Sequence, residues 1–291
     1  MKADKYSISV LTAGMLWGCM GLFTRTLVCY GIGPSDAIIV RCGIAALCFG
    51  ILVTIKNPAL FKIRLKDFWC FFGAGFLSLL FFTFCYFTAI KLMTLSLAAI
   101  LLYTAPTFVM ILSAILFKER FTKIKLAALV LAFSGCCLVS GITNGSLSVS
   151  LTGFMFGIGA GFGYALYTIF SRFALIRGYD SNVINFYSCL FACIGALALW
   201  GGRNIVHAVQ ETASIIPLII ALGIFTCFLP YMLYTYGLTG LENSKASVLA
   251  SMEPVVASVA GVLVYHEVIS ISSLIGILLV LYAVILFSKK I

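Results

Sequence analysis

Residues 86–119 read YFTAIKLMTLSLAAILLYTAPTFVMILSAILFKE, and residues 234–267 read YTYGLTGLENSKASVLASMEPVVASVAGVLVYHE, at a constant offset of 148. Aligned without a gap, the two stretches are identical at six positions. The matched pairs are Tyr86 with Tyr234, Ser96 with Ser244, Ala98 with Ala246, Leu101 with Leu249, Pro106 with Pro254, and Glu119 with Glu267. Leu and Ala recur by chance in apolar helices, but Tyr, Pro and Glu at one common spacing do not. The pattern therefore indicates an internal repeat.

Composition places this repeat in a membrane. Of the 291 residues, 63% are hydrophobic and 10% are charged, with mean hydropathy +1.16, whereas soluble domains carry about 25% charged residues. A helical span needs about 20 apolar residues. Charges and turn residues divide the chain into ten candidate spans: 7–28, 34–54, 68–90, 94–117, 124–142, 151–171, 181–200, 213–238, 244–265 and 270–288. The sequence thus predicts an all-α polytopic membrane protein with ten transmembrane helices and no appended soluble domain.

Lys and Arg placement predicts the orientation. With the amino terminus in the cytoplasm, 15 of the 19 basic residues fall on the cytoplasmic side and two in outer connections, as the positive-inside rule requires. Both termini are then cytoplasmic, in the plasma membrane, and the first apolar run is a retained helix. The net charge of +10 is shared among the cytoplasmic connections, which argues against a nucleic-acid partner, since such binders concentrate charge on one surface.

Five spans fall in each half, which we place at residues 1–145 and 146–291. An odd number of spans makes the second half enter the membrane from the opposite side, and such inverted repeats are typical of secondary transporters. A weaker sequence similarity relates the Trp17-Gly18 pair of the first span to the Phe162-Gly163 pair of the sixth. We therefore predict two inverted five-helix repeats.

These residues resemble the EamA family of the drug/metabolite transporter superfamily. The resemblance covers essentially the whole chain and is carried by Trp17-Gly18, by Arg41 in the second span, and by the two spans running from Pro106 to Glu119 and from Pro254 to Glu267. It implies a ten-helix exporter or permease of amino acids or other small metabolites, with a cavity between the repeats. One departure is the sixth span, which does not keep the Trp-Gly spacing of the first.

Glu253 is the one carboxylate deep inside a predicted span. A charge there is costly and normally faces a partner or a wet cavity. It could contact a substrate ammonium or couple transport to protons, or it could simply bond a neighbouring helix, since its repeat equivalent is Ala105. Of the two cations within spans, Arg25 lies near the outer end of its helix and is expected to reach the interface. Arg41 is a candidate charge partner for a substrate carboxylate or for Asp36.

Pro106 and Pro254 each remove a backbone hydrogen bond and kink their helix, and broken helices mark midplane sites in inverted repeats. We interpret both prolines as hinges or gates, with a packing kink as the alternative. Small residues, including Gly14, Gly18 and the run 157–163, predict close helix packing. Mid-span Tyr and Trp bring hydrogen-bonding groups that need partners. With Ser251 and Glu253, the predicted cavity residues are Trp17, Tyr86, Tyr103, Tyr164, Tyr167, Tyr231 and Tyr234.

The residue types present also narrow the class of function. No phosphate-binding loop and no catalytic or metal-binding cluster occurs, and the eleven cysteines lie in or beside apolar runs, so we expect no enzyme activity, cofactor or metal. The prediction is a secondary transporter of amino acids or related amphipathic metabolites, working by alternating access, with lipid around it and no required oligomer. Uniport and proton antiport both stay open. A flippase for lipid- or isoprenoid-linked substrates is the nearest alternative, and an integral-membrane enzyme a more distant one.

Overall fold

The computed structural model describes residues 4–140, 150–266 and 270–288, and every regular element within them is helical. The helices up to residue 140 are α1 (Lys5–Gly18), α2 (Met20–Val28), α3 (Pro34–Lys56), α4 (Phe68–Phe72), α5 (Phe81–Leu92), α6 (Leu95–Leu102), α7 (Ala105–Phe117) and α8 (Lys123–Val139). Those from residue 150 onward are α9 (Leu151–Ile176), α10 (Ser181–Trp200), α11 (Arg203–Glu211), α12 (Ile216–Gly223), α13 (Leu229–Leu238), α14 (Asn243–Ala250), α15 (Glu253–Tyr265) and α16 (Ile271–Ser288). Glu267, which the sequence pairs with Glu119, lies outside the described residues.

Short helical stretches join some of these elements. Tight 3₁₀ turns cover Pro58–Phe61, Leu65–Asp67 and Ala213–Ile215, and wider π-helical stretches cover Gly73–Leu80 and Ile224–Phe228. In the described part of the chain, eight helical segments are long and apolar enough to cross a membrane. The chain is therefore a polytopic membrane protein. The other two predicted spans, 124–142 and 270–288, correspond to α8 and α16, of 17 and 18 residues, and the count of ten stays a prediction.

Helix bounds in the two halves coincide at the offset found in the sequence. Both α14 and α15 begin and end 148 residues after α6 and α7, while α13 and α16 begin 148 residues after α5 and α8. The residues that end α7 and α15, Lys118 and His266, have left-handed backbone with φ of 56° and 54°. Left-handed backbone costs a non-glycine residue about 1–2 kcal/mol, so its recurrence at the same offset reflects the same helix ending.

One helix of each half packs mainly against helices of the other half. The first helix of the chain, α1, packs against α13, α14 and α15, whereas α9 packs against their counterparts α5, α6 and α7. Large contacts also join α3 to α10 and α8 to α16, and the two helices of each pair are counterparts. Each half therefore contributes its first helix to the other half, and the seam between the halves runs through the middle of the bundle.

Both proline-containing spans are interrupted. The chain leaves the helix at Tyr103–Thr104 and again at Ser251–Met252, and a new helix begins directly afterwards. Pro106 and Pro254 lie in the first turn of the new helices, where a missing N–H costs nothing and the fixed φ suits the helix. The sequence predicted a kink at each proline. The structure interrupts each span by a two-residue turn directly before the proline-containing helix, which places the proline in the first turn, the position that it tolerates.

Glycines bring the first helix of each half onto the break in the other half. A Cβ at Gly18 would lie 2.5 Å from the Glu253 carbonyl oxygen, and one at Gly161 would lie 2.5 Å from Thr104 Oγ1 and 2.7 Å from the Leu101 carbonyl oxygen. Only glycine permits such close approaches, which is the small-residue packing expected inside membranes. The backbones of α1 and α9 are thus held directly against the two interruptions.

Candidate functional site

Six aromatic side chains from four spans meet where α1, α5, α9 and α13 cross. We call them the aromatic cluster: Trp17, Phe82, Tyr164, Tyr167, Tyr231 and Tyr234. The Trp17 ring lies 5.2 Å from that of Tyr231 and 5.4 Å from that of Tyr234, centroid to centroid. Such tilted and edge-on pairs are favourable by about 0.5–1.5 kcal/mol beyond the area they bury. The cluster joins the halves, because Trp17 and Phe82 come from the first and the tyrosines from the second.

Asn185 on α10 fixes one side of this cluster. Its Oδ1 accepts hydrogen bonds from the Tyr167 hydroxyl at 2.5 Å and from Thr235 Oγ1 at 2.9 Å, and its Nδ2 donates to the Tyr231 carbonyl at 3.2 Å. The Asn185 side chain is fully buried. A buried polar group is stable only when its partners are present, so Asn185 acts as the hub that orients two of the tyrosines.

Replacing Asn185 with alanine is expected to lower the thermal unfolding temperature of the detergent-purified protein. The change removes three buried side-chain hydrogen bonds at once, to Tyr167, Thr235 and Tyr231, each with a net contribution of about 0.5–1.5 kcal/mol. Asn182→Ala, three residues earlier at the half-exposed start of α10, is the matched control and should unfold close to wild type. Equal unfolding temperatures for both variants would contradict this role.

Two small cavities lie beside the aromatic cluster. The first, which we call the aromatic cavity, is lined by Trp17, Ser78, Leu79, Phe82, Tyr164, Tyr167, Thr168, Tyr231 and Tyr234. It leaves about 10 Å³ that the centre of a water molecule can reach, which is room for about one water. The rings therefore close on one another and leave no space for a metabolite in this conformation.

The second cavity, which we call the carboxylate cavity, lies where the two helix interruptions meet. It is lined by Leu102, Tyr103, Ala105, Pro106, Tyr164, Ser247, Ala250, Ser251 and Glu253, and leaves about 20 Å³ for the centre of a water molecule. One wall comes from the break between α6 and α7 in the first half, and the other from the break between α14 and α15 in the second. Both interruptions thus face a single space at the seam.

Glu253 is the first residue of α15 and the one acidic group lining this cavity. Its side chain is half-buried, and its carboxylate interacts with the Tyr164 hydroxyl and, at longer range, with the Arg41 guanidinium. A negative charge in the first turn also complements the helix dipole. Glu253 therefore places one carboxyl group in a small cavity that is otherwise lined by apolar, aromatic and hydroxyl-bearing side chains.

Arg41 lines neither the aromatic cavity nor the carboxylate cavity. Its Nη2 donates to the Thr226 carbonyl at 3.0 Å and its Nη1 contacts Met20 Sδ at 2.9 Å, while its buried Nε has no hydrogen-bond partner among the described residues. Thr226 lies in the second π-helical stretch, and such stretches free carbonyl groups from the regular ladder. Asp36, the partner considered from the sequence, instead accepts from Asn204 Nδ2 at 3.0 Å.

Arg25 is exposed on α2, with its guanidinium 4.7 Å from the centre of the Tyr265 ring. This cation–π contact keeps Arg25 away from the aromatic cluster. It is not part of either cavity.

The structure brings most of the predicted cavity residues together. Nine of those that the sequence singled out line one or both cavities: Trp17, Tyr103, Pro106, Tyr164, Tyr167, Tyr231, Tyr234, Ser251 and Glu253. Tyr86 stacks on Phe82 at 5.9 Å but lines neither cavity, and Pro254 is buried beside Glu253 outside both linings.

Sequence reasoning missed several lining residues. They are Ser78, Leu79, Phe82, Leu102, Ala105, Thr168, Ser247 and Ala250. For Phe82, Thr168 and Ser247 a signal existed. Each lies four residues, one helical turn, from a residue that was singled out, and residues four apart share a helix face.

A polar cluster closes the bundle at the end where α7 stops. The Glu119 carboxylate accepts from the backbone N–H of Asn243 at 2.7 Å and of Ser244 at 3.2 Å, and it also binds the Ser244 hydroxyl. Asn243 Nδ2 donates to Ser113 Oγ at 3.0 Å, and Arg172 Nε donates to Asn243 Oδ1 at 2.9 Å. We call these five residues the Glu119 cluster. A residue of the first half thereby caps α14 of the second.

The capping from another helix is needed because α14 lacks a cap of its own. Its N-cap residue, Glu242, makes no side-chain cap hydrogen bond, whereas Thr94 caps the counterpart α6 by accepting from the Leu97 N–H at 3.3 Å. The first N–H groups of a helix have no partner within the helix. Glu119 supplies that partner for α14, so the contact both stabilises the helix and ties the halves together.

No group of three or more His, Cys, Asp or Glu side chains in the described ranges could hold a metal ion. All eleven cysteines are free. The two cavity linings present aromatic faces, hydroxyl groups and one carboxyl group.

Two interrupted helices that meet at a cavity inside a bundle of apolar helices are an arrangement found in many membrane transporters. The sequence profile of the EamA-like transporter family matches residues 5–141 and again residues 151–289. The chain therefore belongs to the EamA-like transporter family, as its sequence motifs indicated.

Relatives agree with this assignment. The chain is 26% identical over 295 residues to the uncharacterized transporter YwfM of Bacillus subtilis, an alignment covering 99% of this chain and 95% of YwfM. It is 29% identical over 188 residues to the threonine/homoserine exporter RhtA of Escherichia coli, covering 64% of this chain and 59% of RhtA. A solved crystal structure matches the fold with TM-score 0.77 at 18% identity, over 98% of this chain and 96% of that one.

Proposed function

We propose that this protein is a secondary transporter of amino acids or related small amphipathic metabolites, working by alternating access around the seam between its halves. The observation that carries the proposal is the carboxylate cavity, where the interruptions of both halves meet beside Glu253. Transporters built from inverted repeats bind substrate between discontinuous helices near the membrane midplane. Relatives of this chain include an exporter of threonine and homoserine, which are small amino acids.

Both ends of an amino acid have a complementary group at this cavity. The Glu253 carboxylate suits the substrate ammonium, since a charged hydrogen-bonded pair is stronger than a neutral one. The opposite wall is the start of α7, whose first turn carries no acidic residue. The positive end of that helix dipole suits the substrate carboxylate. Ser247 and Ser251 add two hydroxyl groups to the lining, while the aromatic cluster suits an apolar side chain.

Alternating access rests on the proposed inverted repeat of residues 1–145 and 146–291, with ten spans. Two observations support it: helix bounds that coincide at the offset of 148, and helix contacts that exchange between the halves. With both termini in the cytoplasm, the Glu119 cluster lies at the cytoplasmic end and holds that entrance closed. Opening separates Glu119 from α14, and the breaks before Pro106 and Pro254 serve as hinges for the half-helices.

Counterflow in proteoliposomes tests this function. Vesicles that contain an unlabelled compound and no ATP are diluted into a solution of the same compound in labelled form. The measurement is repeated for each of the standard amino acids and for homoserine. We expect transient accumulation of label for at least one panel member, with protein-free vesicles as the control. Inertness towards the whole panel would contradict the proposal. Movement of a fluorescent phospholipid between leaflets, with no counterflow, would favour the flippase alternative instead.

A further inference from the structure

Tyr164 is the residue shared by the linings of the aromatic cavity and the carboxylate cavity. One side of its ring packs with the aromatic cluster, at 5.5 Å from the Phe82 ring and 6.3 Å from that of Trp17. Its hydroxyl faces the Glu253 carboxylate. The two cavities are therefore neighbours, and the Tyr164 side chain stands between them.

Neither cavity can hold a metabolite alone. Their accessible spaces of about 10 and 20 Å³ correspond to one or two water molecules each, whereas even the smallest amino acid has several heavy atoms. A substrate that contacts both Glu253 and the aromatic cluster must displace what separates them. Binding thus requires the Tyr164 ring to move.

The Tyr164 side chain is less enclosed than those of Tyr167 and Tyr234, and its hydroxyl interacts with Glu253, the carboxylate that the substrate ammonium would engage in its place. The Tyr167 hydroxyl is held by Asn185, and the Tyr234 hydroxyl is hydrogen-bonded to Thr168 at 2.7 Å, so both are tied to neighbouring helices. Both of those side chains are buried, whereas Tyr164 is half-buried because it borders two spaces. The backbone beneath it is fixed by the close approach of Gly161 to the first interruption, which leaves the side chain as the movable part.

We propose that Tyr164 is the specificity-determining partition of the substrate site. In the closed conformation its ring separates the carboxylate cavity from the aromatic cavity. When substrate binds, the ring swings aside and the two spaces join, with the ammonium group at Glu253 and the apolar side chain among the aromatic rings. The size of the ring then limits the size of side chain that the joined site accepts. This inference rests on the proposed function and assigns to one residue the choice between small and large substrates.

The test compares Tyr164→Phe, which keeps the ring, with Tyr164→Ala, which removes it. Counterflow rates are measured for L-threonine and L-tryptophan in the same vesicle preparation. Tyr164→Ala is expected to raise the tryptophan-to-threonine rate ratio about tenfold, the scale on which filling an apolar pocket discriminates. Tyr164→Phe should leave the ratio within about twofold of wild type, because the partition is retained. Tyr282→Ala, which alters an exposed tyrosine on α16 outside both cavities, is the matched control and should not change the ratio.

A second readout needs no substrate. With Trp69→Phe and Trp200→Phe, Trp17 is the remaining tryptophan of the three, and it reports on the aromatic cavity. Adding Tyr164→Ala should shift its emission to longer wavelength, because removing the ring lets water at the Glu253 carboxylate and the Ser247 and Ser251 hydroxyls reach the Trp17 side of the site. Adding Tyr164→Phe should not.

The outcomes separate this inference from the proposed function. If wild-type protein moves no compound of the amino-acid panel, the proposed function fails. Whatever the transport result, an unshifted Trp17 emission in Tyr164→Ala overturns the role of Tyr164 as a partition. If wild type transports but Tyr164→Ala changes neither the rate ratio nor the emission, the partition is wrong while the transport function stands. A changed ratio together with a shifted emission supports the proposal.

Discussion

Replacing Glu119 with alanine is expected to raise the amide hydrogen-exchange rate of Asn243 and Ser244, at the start of α14, by about 10- to 150-fold. The Glu119 carboxylate accepts hydrogen bonds from both of these N–H groups, and a hydrogen bond to a charged group contributes about 1.5–3 kcal/mol. Since α14 has no cap of its own, nothing local replaces the lost acceptor. Exchange measured by mass spectrometry on a peptide that includes residues 243 and 244 reads the effect directly.

The matched control is Glu211→Ala, which removes an exposed carboxylate paired with His207 at 3.4 Å on α11. It should leave exchange in α14 at the wild-type level. If the Glu119 cluster closes the proposed cytoplasmic entrance, Glu119→Ala should also expose peptides from the Tyr103–Thr104 interruption to faster exchange. Unchanged exchange at Asn243 and Ser244 would show that Glu119 does not hold α14 in the native protein.

Replacing Glu253 with glutamine is expected to reduce amino-acid counterflow by about 10- to 150-fold at low substrate concentration. Glutamine keeps the size of the side chain and removes the charge, so the variant loses the charge-assisted contact to the substrate ammonium, of about 1.5–3 kcal/mol. Counterflow of L-threonine in vesicles containing equal amounts of folded protein measures the change. Elution profile and unfolding temperature establish that the variant is folded.

Glu211→Gln serves as the matched control and should transport at the wild-type rate. The same vesicles decide between uniport and proton antiport. If protons couple through Glu253, an imposed pH gradient accelerates wild type and has no effect on Glu253→Gln. A variant that retains both the wild-type rate and the wild-type response to pH would exclude Glu253 from substrate binding and from coupling.

The parts of the fold that the sequence predicted well are those encoded by residue types at fixed spacing. Pro106 and Pro254 marked the two interrupted spans, because proline ends the preceding helix and tolerates only the first turn of the next. Gly18 marked the close approach of α1 to the second interruption, because small residues permit backbone contact. The π-helical stretches had no such signal. In the second of them the Thr226 carbonyl accepts a hydrogen bond from Arg41 on another helix, a contact that no local pattern encodes.

For the site, mid-span aromatic residues identified the lining because a buried Tyr or Trp needs both packing and a polar partner. What the sequence could not predict are the contacts between residues far apart in the chain. Glu119 reaches Asn243 across 124 positions, and Asn185 reaches Thr235 across 50. No local periodicity encodes such pairs. They follow from the way the halves pack, and so does the position of Tyr164 between the two cavities.

We propose that substrate binds at the seam between the halves and contacts the Trp17 ring. Fluorescence of the protein carrying Trp69→Phe and Trp200→Phe tests it most directly, because the remaining tryptophan lies in the aromatic cluster. Titration with a transported amino acid such as L-threonine should change Trp17 emission saturably, with half-saturation at the concentration that half-saturates counterflow. Undiminished counterflow with no change in Trp17 emission over the same concentration range would contradict the claim.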